Sequence, residues 1–195
     1  YNKNTIVKLP ENGLKNNRQG GYEVYTGNGN ETHYVGGYQE GQTPGSFVGY
    51  GVVKMARSQA DIEALGDYID TGTTLGTGVY ANESGRKRLI AEGITNLVQL
   101  MPGDLIFEDR NGDNWVDTKD RKVLGNLTPK WTGGFNTTLT WKGLSLYARF
   151  DMGFDFQVYD SNIAFWLGEG QGAMSFNDAV RDTWTPDNPG AKSSY

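Results

Sequence analysis

The sequence contains no cysteine and only one histidine, His33. The lack of cysteine excludes disulfides and thiolate metal sites, and a single histidine does not predict a zinc site. No apolar run approaches the roughly 20 residues of a membrane-spanning helix, so if a membrane is involved it must be crossed by strands. The formal net charge is −5. Because affinity for nucleic acid comes mostly from lysine and arginine, we expect no nucleic-acid partner.

Glycine and aromatic side chains, by contrast, are abundant. The chain holds 28 glycines among 195 residues and is 12% aromatic, whereas hydrophobic residues make up 36%. This mixture is typical of many short strands that have one polar face and are joined by glycine-rich turns. The composition therefore favours an all-β fold.

The first half of the chain gives several local predictions. Residues 2–13 predict a short strand that stops at Pro10, and residues 22–26 and 32–38 predict a hairpin around the turn sequence GNGN. Ser58 precedes apolar residues at helical spacing, which predicts one short helix with Ser58 as its N-cap. The remainder of residues 55–103 has no pattern of a core strand and predicts a long loop.

The clearest periodicity runs from residue 130 to residue 157. Apolar and polar residues alternate through two long segments that meet at Lys142 and Gly143, so the sequence predicts two antiparallel strands and a tight turn. Strands of about 9 to 11 residues, apolar on the outside, polar on the inside and aromatic at the edges, are typical of transmembrane β-barrels. Trp131 and Trp141 lie about one membrane crossing apart. A soluble sheet is the alternative, although its strands are usually only about 5 to 6 residues long.

The number of predicted strands is too small for a complete barrel. We count five or six, whereas bacterial barrels need at least about eight to close. Residues 1–195 are therefore expected to be part of a larger β-barrel domain.

The segment EDRNGDNWVDTKD, residues 108–120, has the spacing of a calcium-binding loop. Such loops place oxygen ligands at positions 1, 3, 5, 7, 9 and 12, with a backbone carbonyl at position 7. The corresponding candidate ligands are Asp109, Asn111, Asp113, Trp115 through its carbonyl, Asp117 and Asp120. The many protein oxygens predict structural Ca²⁺ rather than Mg²⁺.

Two positions of this loop depart from the calcium pattern. Asn114 stands where glycine is usual, and Asp120 has a shorter side chain than the usual glutamate. The alternative is a solvated series of Asx-turns that holds no ion. Strand-like flanks also argue against a helix-loop-helix sensor.

Catalytic residues are not predicted. Acidic pairs such as Glu31 with Glu40, or Asp151 with Asp155, arise by chance among 23 acidic residues, and their separation in space is not visible from the sequence. One histidine gives no convincing nucleophilic triad. We therefore expect that the chain is not an enzyme.

Residues 101–150 resemble the C-terminal barrel region of the SusC/RagA family of TonB-dependent outer-membrane transporters. The matching positions are Pro102, Gly103, Asp104, Asp109, Asn111, Gly112, Asp113, Asp117, Asp120, Arg121, Gly125, Asn126, Pro129, Lys130, Gly134, Phe135, Lys142, Gly143 and Leu144. The segments NKNTIVKL, EGQTPGSFVGY and TWTPDNP also agree and occur in the family's order.

The resemblance implies a 22-stranded barrel in the Gram-negative outer membrane that imports oligosaccharides or peptides. It implies a SusD-like surface lipoprotein as a lid and the TonB complex as the energy source. The plug domain, the TonB-contacting segment and the terminal strands would lie outside residues 1–195. Long loops would face the cell exterior, and the Lys142-Gly143 turn would be periplasmic. The competing hypothesis is a secreted or surface calcium-stabilised β-module that binds glycans.

Overall fold

The computed structural model describes residues 1–160 and 182–191. A 3₁₀ turn covers Lys15–Asn17. The strands and helices that follow, in chain order, are β1 (Tyr22–Tyr25), β2 (Thr32–Val35), β3 (Ser46–Gly49), β4 (Val52–Met55), α1 (Gln59–Glu63), β5 (Ile69–Asp70), β6 (Gly78–Tyr80), α2 (Glu83–Ala91), β7 (Leu97–Gln99), β8 (Leu105–Phe107), β9 (Trp115–Val116), β10 (Lys122–Asn126), β11 (Trp131–Trp141) and β12 (Leu144–Phe154). Strands predominate, as the composition predicts.

The chain divides into two compact units. The first comprises Tyr1–Tyr22, Val35–Val48 and Val123–Val158, and the second comprises Glu23–Tyr34, Gly49–Lys122 and the described part of Tyr159–Tyr195. Among the described residues, no helix is both long enough and apolar enough to cross a membrane.

A long hairpin of β11 and β12 is the main element of the first unit. The two strands pair antiparallel over their whole length, from Trp131 opposite Phe154 to Trp141 opposite Leu144. Lys142 and Gly143 both have positive φ, 45° and 85°, which a two-residue type I′ turn requires. The predicted strands and turn are therefore confirmed.

The register of this hairpin separates apolar from polar side chains. Directly opposite residues share a face, so the tryptophans, phenylalanines and leucines of both strands lie together. Phe135 and Phe150 stack at the centre of that face, with ring centroids 4.7 Å apart. The other face carries threonines and the ion pair of Arg149 with Asp151, at 2.9 Å. The apolar face is exposed within the described residues; Leu146, for example, is 61% exposed.

The second unit contains a small mixed α/β core where the sequence predicts a long loop. A four-stranded sheet has the order β7-β6-β5-β9, and β4 pairs with β8. The pairs β5–β9 and β6–β7 are parallel, which corrects the expectation of antiparallel strands throughout. The β6–β7 pair is possible because α2 forms the crossover between these strands, as a parallel connection requires.

Helix α2 buries one side against this sheet. Its N-cap is Asn82, whose side-chain oxygen accepts a hydrogen bond from the backbone N–H of Gly85. A Cβ atom at Gly85 would lie 2.9 Å from the Ile69 side chain, so glycine allows the close approach of helix and strand. Leu89 is fully buried. The core cluster itself consists of Ala56, Ile62, Tyr68, Ala81, Leu100, Ile106 and Val116.

The other local predictions are partly correct. Ser58 caps α1, since its side chain accepts from the N–H of Asp61, although the helix ends at Glu63. Strands β1 and β2 pair around the GNGN turn. The predicted strand at residues 2–13 is wrong, because this segment forms only isolated backbone hydrogen bonds, such as that from Asn2 to the carbonyl of Lys130.

The described strands form five separate sheets and do not close into a barrel. The physical reason is the number of long strands. Among the strands of residues 1–160 and 182–191, only β11 and β12 have the length of a membrane crossing, whereas closure needs at least about eight such strands. The transmembrane part of the prediction therefore depends on these two strands.

Substitution of Leu89 by alanine should weaken the second unit. We expect the free energy of local unfolding of α2 to fall by about 2–5 kcal/mol, because truncation of a fully buried leucine leaves a cavity. Hydrogen exchange of the α2 amides in the full-length protein measures this quantity. Ile90→Ala is the matched control, since Ile90 is 49% exposed and should cost no more than about 0.5 kcal/mol. Equal losses of stability in Leu89→Ala and Ile90→Ala would contradict the packing of α2 against the sheet through Leu89.

Candidate functional site

The acidic loop, residues 108–120, lies between β8 and β10 and includes β9. Its first candidate ligand is Asp109, whose carboxylate accepts hydrogen bonds from the backbone N–H groups of Gly112, at 2.8 Å, and Asn114, at 2.6 Å. These bonds fold the loop back on Asp109. The sharp turn that calcium loops require is therefore present.

Asn114 replaces the usual glycine without preventing this turn. Its φ of 61° lies in the left-handed region, which asparagine tolerates better than most residues. Its side-chain amide also donates to a carboxylate oxygen of Asp67, at 2.9 Å. Asn114, at the sixth position of the calcium pattern, therefore adopts the conformation that the usual glycine would adopt.

Asn111 and Asp113 form the next turns of the loop. The Asn111 amide donates to Asp113 at 3.0 Å, and the Asp113 carboxylate accepts from the N–H of Trp115 at 2.8 Å. Each of these contacts is local, between residues two apart. This part of the loop has the conformation of successive Asx-turns.

Asp120 is the buried centre of the loop. Its side chain is inaccessible to solvent, and its two oxygens accept from the N–H groups of Arg110 and Asp117, each at 2.7 Å. The pKa of Asp120 is raised to about 6, mainly by burial and also by the negative charges of Asp117 and Asp109, while its two backbone hydrogen bonds act in the opposite direction. A positive charge placed among these carboxylates would therefore be favourable.

Asp117 lies at the exit of the loop. One carboxylate oxygen accepts from the N–H of Lys119 at 2.5 Å, and the other accepts from the hydroxyl of Tyr25 at 3.5 Å. The Asp117 N–H joins Asp117 directly to Asp120, whereas the Asp113 carboxylate accepts from Asn111 and Trp115 instead. The structure brings the six predicted ligands into one loop but not around one point.

The loop fits calcium in donor chemistry and in its turns, but not in the convergence of its side chains. All six donors are oxygens, as calcium prefers, and each carboxylate oxygen keeps a second lone pair beside its hydrogen bond. Within residues 1–160 and 182–191, however, no three acidic or histidine side chains are arranged to hold an ion. The calcium site and the ion-free series of Asx-turns both stay predictions.

Arg88 and the Trp115 side chain hold the loop against α2, which the sequence did not predict. The Arg88 guanidinium lies 5.3 Å from the centroid of the Trp115 ring and donates to the carbonyl of Asp113 at 3.1 Å. The Trp115 indole N–H donates to Thr71 at 2.8 Å. The sequence predicts a role only for the carbonyl of Trp115, and it predicts neither the contact of Arg88 nor the helix that carries it. The capping residue Asn82 was the available signal.

Comparison with known proteins identifies three relatives, which match between 45% and 96% of this chain. It is 29% identical over 191 residues to TonB-dependent receptor P3 of Formosa agariphila, a match that covers 96% of this chain and 15% of the relative. TonB-dependent receptors P26 and P39 of the same organism are 34% identical over 92 residues and 26% identical over 175 residues, covering 45% and 82% of this chain. No family model matches.

These similarities confirm the predicted relationship to TonB-dependent receptors. The chain spans only 9% to 15% of the length of the three relatives. All three are named as receptors and none as an enzyme, in agreement with the expectation that this chain is not an enzyme. Membership of the SusC/RagA family stays a prediction.

Proposed function

We propose that this chain is part of a SusC-like TonB-dependent outer-membrane transporter. In this proposal the complete protein imports oligosaccharides or peptides, a SusD-like lipoprotein covers its outer mouth, and the TonB complex supplies energy through regions outside residues 1–195. The similarity to TonB-dependent receptors over 96% of the chain supports the class. The observation that carries the membrane assignment is one face of the β11–β12 hairpin, which is mostly apolar and has no charged side chain.

The dimensions of the hairpin match a membrane crossing. Trp131 and Trp141 are ten residues apart on β11, which corresponds to about 34 Å along a strand. A tilt of about 40° reduces this distance to roughly 26 Å across the bilayer, close to the apolar band of about 25 Å in such barrels. The two tryptophans then lie at the two interfaces, where aromatic girdles occur.

The distribution of charge on the hairpin supports the same assignment. The residues that share a face with Trp131 and Phe154 include no charged side chain. The ion pair of Arg149 with Asp151 lies on the opposite face. A charge on the lipid-facing side is costly, whereas a charge in the lumen is solvated. We therefore assign the apolar face to lipid and the polar face to the lumen.

The lengths of the connections give the orientation in the membrane. The two-residue turn at Lys142 and Gly143 suits the periplasmic side, and the long segments joined to the other end of the hairpin suit the exterior, since barrels of this kind have short periplasmic turns and long outer loops. The second unit is then an extracellular module. Its buried core supports a role as a rigid surface that meets substrate or lid, rather than as a mobile connector.

A charge on the apolar face should impair assembly of the full-length receptor. We expect Phe135→Arg to lower stability by about 2–4 kcal/mol, because position 135 is near the bilayer midplane, and to reduce both folded receptor in the outer membrane and uptake of its cargo. Thr138→Arg is the matched control on the polar face and should cost less than about 1 kcal/mol. Heat-modifiable gel mobility measures the folded fraction. Normal assembly of Phe135→Arg would overturn the membrane assignment.

We also propose that the acidic loop binds Ca²⁺ in the complete receptor. Asp109, Asn111, Asp113, the Trp115 carbonyl, Asp117 and Asp120 would hold the ion, which would neutralise carboxylates that repel one another. The oxygen-only donor set and the turn at Asn114 support this proposal. The expected role is to order an outer loop, and no transport step depends on it.

Calcium binding can be tested on the full-length receptor by isothermal titration. We expect binding at or below millimolar calcium and its loss in Asp113→Ala, because that substitution removes a ligand oxygen and a negative charge. Glu92→Ala, which removes one carboxylate outside the loop, should bind as the unmodified receptor does. Absence of binding at millimolar calcium would leave the ion-free Asx-turn loop as the correct description.

A further inference from the structure

Three asparagines of the chain are followed directly by glycine: Asn12, Asn28 and Asn111. This pair of residues is chemically reactive, because the backbone nitrogen of the glycine can attack the side-chain amide carbon of the asparagine. The attack is least hindered at glycine, which has no Cβ and a wide range of backbone conformations. The structure places the three pairs in different surroundings, so we expect them to react at different rates.

The pair Asn111–Gly112 is protected by hydrogen bonds on both reacting groups. The backbone N–H of Gly112 donates to the carboxylate of Asp109 at 2.8 Å, so the attacking nitrogen is occupied. The Asn111 amide nitrogen donates to the side-chain oxygens of Asn30, at 2.8 Å, and Asp113, at 3.0 Å. These bonds have to be broken before the nitrogen can attack, and hydrogen bonds to carboxylates are among the stronger ones.

The pair Asn12–Gly13 is protected at the side chain. The Asn12 amide oxygen accepts from the backbone N–H of Leu14 at 3.0 Å, and the amide nitrogen donates to the carbonyl of Arg18 at 2.9 Å. The amide is therefore fixed by both of its polar atoms, and turning its carbon toward the Gly13 nitrogen costs both bonds. Here the hydrogen bonds hold the group that is attacked rather than the group that attacks.

The pair Asn28–Gly29, at the tip of the β1–β2 hairpin, has neither protection. In the part of the chain that the structure describes, neither the Asn28 side-chain amide nor the Gly29 backbone N–H makes a hydrogen bond. Both residues are exposed, and a Cβ atom at Gly29 would have no atom beyond its chain neighbours within 4 Å. The φ of Gly29 is 59°, in the left-handed region that glycine enters freely. The attacking nitrogen, the amide carbon and the space for their approach are therefore all available.

We propose that Asn28 is a site of spontaneous deamidation. The backbone nitrogen of Gly29 attacks the Asn28 side-chain carbon and forms a C–N bond, while the side-chain NH₂ takes up the proton of that nitrogen and leaves as ammonia. Water then opens the succinimide ring at one of its two carbonyls, which gives either aspartate or isoaspartate. The net reaction consumes one water and releases one ammonia for each asparagine, and no oxidant or reductant takes part.

The modification lies where two elements of the second unit meet. On one side of Asn28, the Arg110 guanidinium donates to the carbonyl of Thr26 at 3.2 Å. On the other side, the Asn111 amide donates to the side-chain oxygen of Asn30 at 2.8 Å. Deamidation therefore adds a negative charge, and isoaspartate also adds a carbon atom to the backbone, in the segment of the hairpin that contacts the acidic loop.

The test is incubation of the folded full-length receptor at mildly alkaline pH in water enriched in the heavy oxygen isotope. Peptide mass spectrometry measures, for each pair, the fraction of asparagine converted to an acid that carries the heavy oxygen, which shows that conversion preceded digestion. We expect conversion at Asn28 to be at least about tenfold faster than at Asn12 or Asn111, because at those two pairs hydrogen bonds have to be broken first. Isoaspartate among the products at position 28 shows that the ring was formed.

Two controls separate the effect of the fold from that of the sequence. In receptor unfolded with denaturant, the three pairs should convert at similar rates, since each is Asn-Gly. In Asp109→Ala, which removes the acceptor of the Gly112 N–H, conversion at Asn111 should accelerate while that at Asn28 stays unchanged. Equal rates at the three pairs of the folded receptor, or no conversion at Asn28, would overturn the proposal. The readout is chemical, so it does not depend on whether the receptor transports.

Discussion

The unbroken antiparallel register of β11 and β12 is the constraint on which the functional account depends. Because Trp131 is opposite Phe154 and no bulge interrupts the ladder, the large apolar residues of β11 lie opposite large apolar residues of β12: Trp131 opposite Phe154, Phe135 opposite Phe150, Leu139 opposite Leu146 and Trp141 opposite Leu144. A slip of one residue would place threonines beside phenylalanines and an ion pair on the lipid side. The tight turn at Lys142 and Gly143 fixes the register, so two turn residues determine which face of a long hairpin can contact lipid.

The two units are stabilised by different physical effects. The hairpin buries little within the described residues, and its apolar face would be stabilised by lipid and by neighbouring strands of the complete barrel. The second unit has its own core, in which Leu89 and Ile62 are fully buried. Because it has this core, the second unit can keep its shape outside a membrane. A surface that meets cargo or a partner requires such a fixed shape.

How much could be predicted from the sequence depends on how local each feature is. The hairpin was predictable because a period of two over more than twenty residues and a Lys-Gly turn are local signals, as is the Ser58 cap. The mixed sheet was missed because its strands have two or three residues and its parallel pairs join distant segments. In the acidic loop, the candidate ligands follow from spacing, but the burial of Asp120 and the Arg88 contact depend on packing with other elements.

The most direct test of the account is cysteine scanning of β11 in the full-length receptor, since residues 1–195 contain no cysteine of their own. Each residue from 131 to 141 is replaced in turn and treated, in assembled outer membranes, with a water-soluble maleimide. The account predicts alternation, with labelling at positions such as Thr132, Asn136 and Thr138 and protection at Phe135 and Leu139. Uniform labelling along the strand, or protection of both faces, would contradict a hairpin that separates lipid from an aqueous lumen.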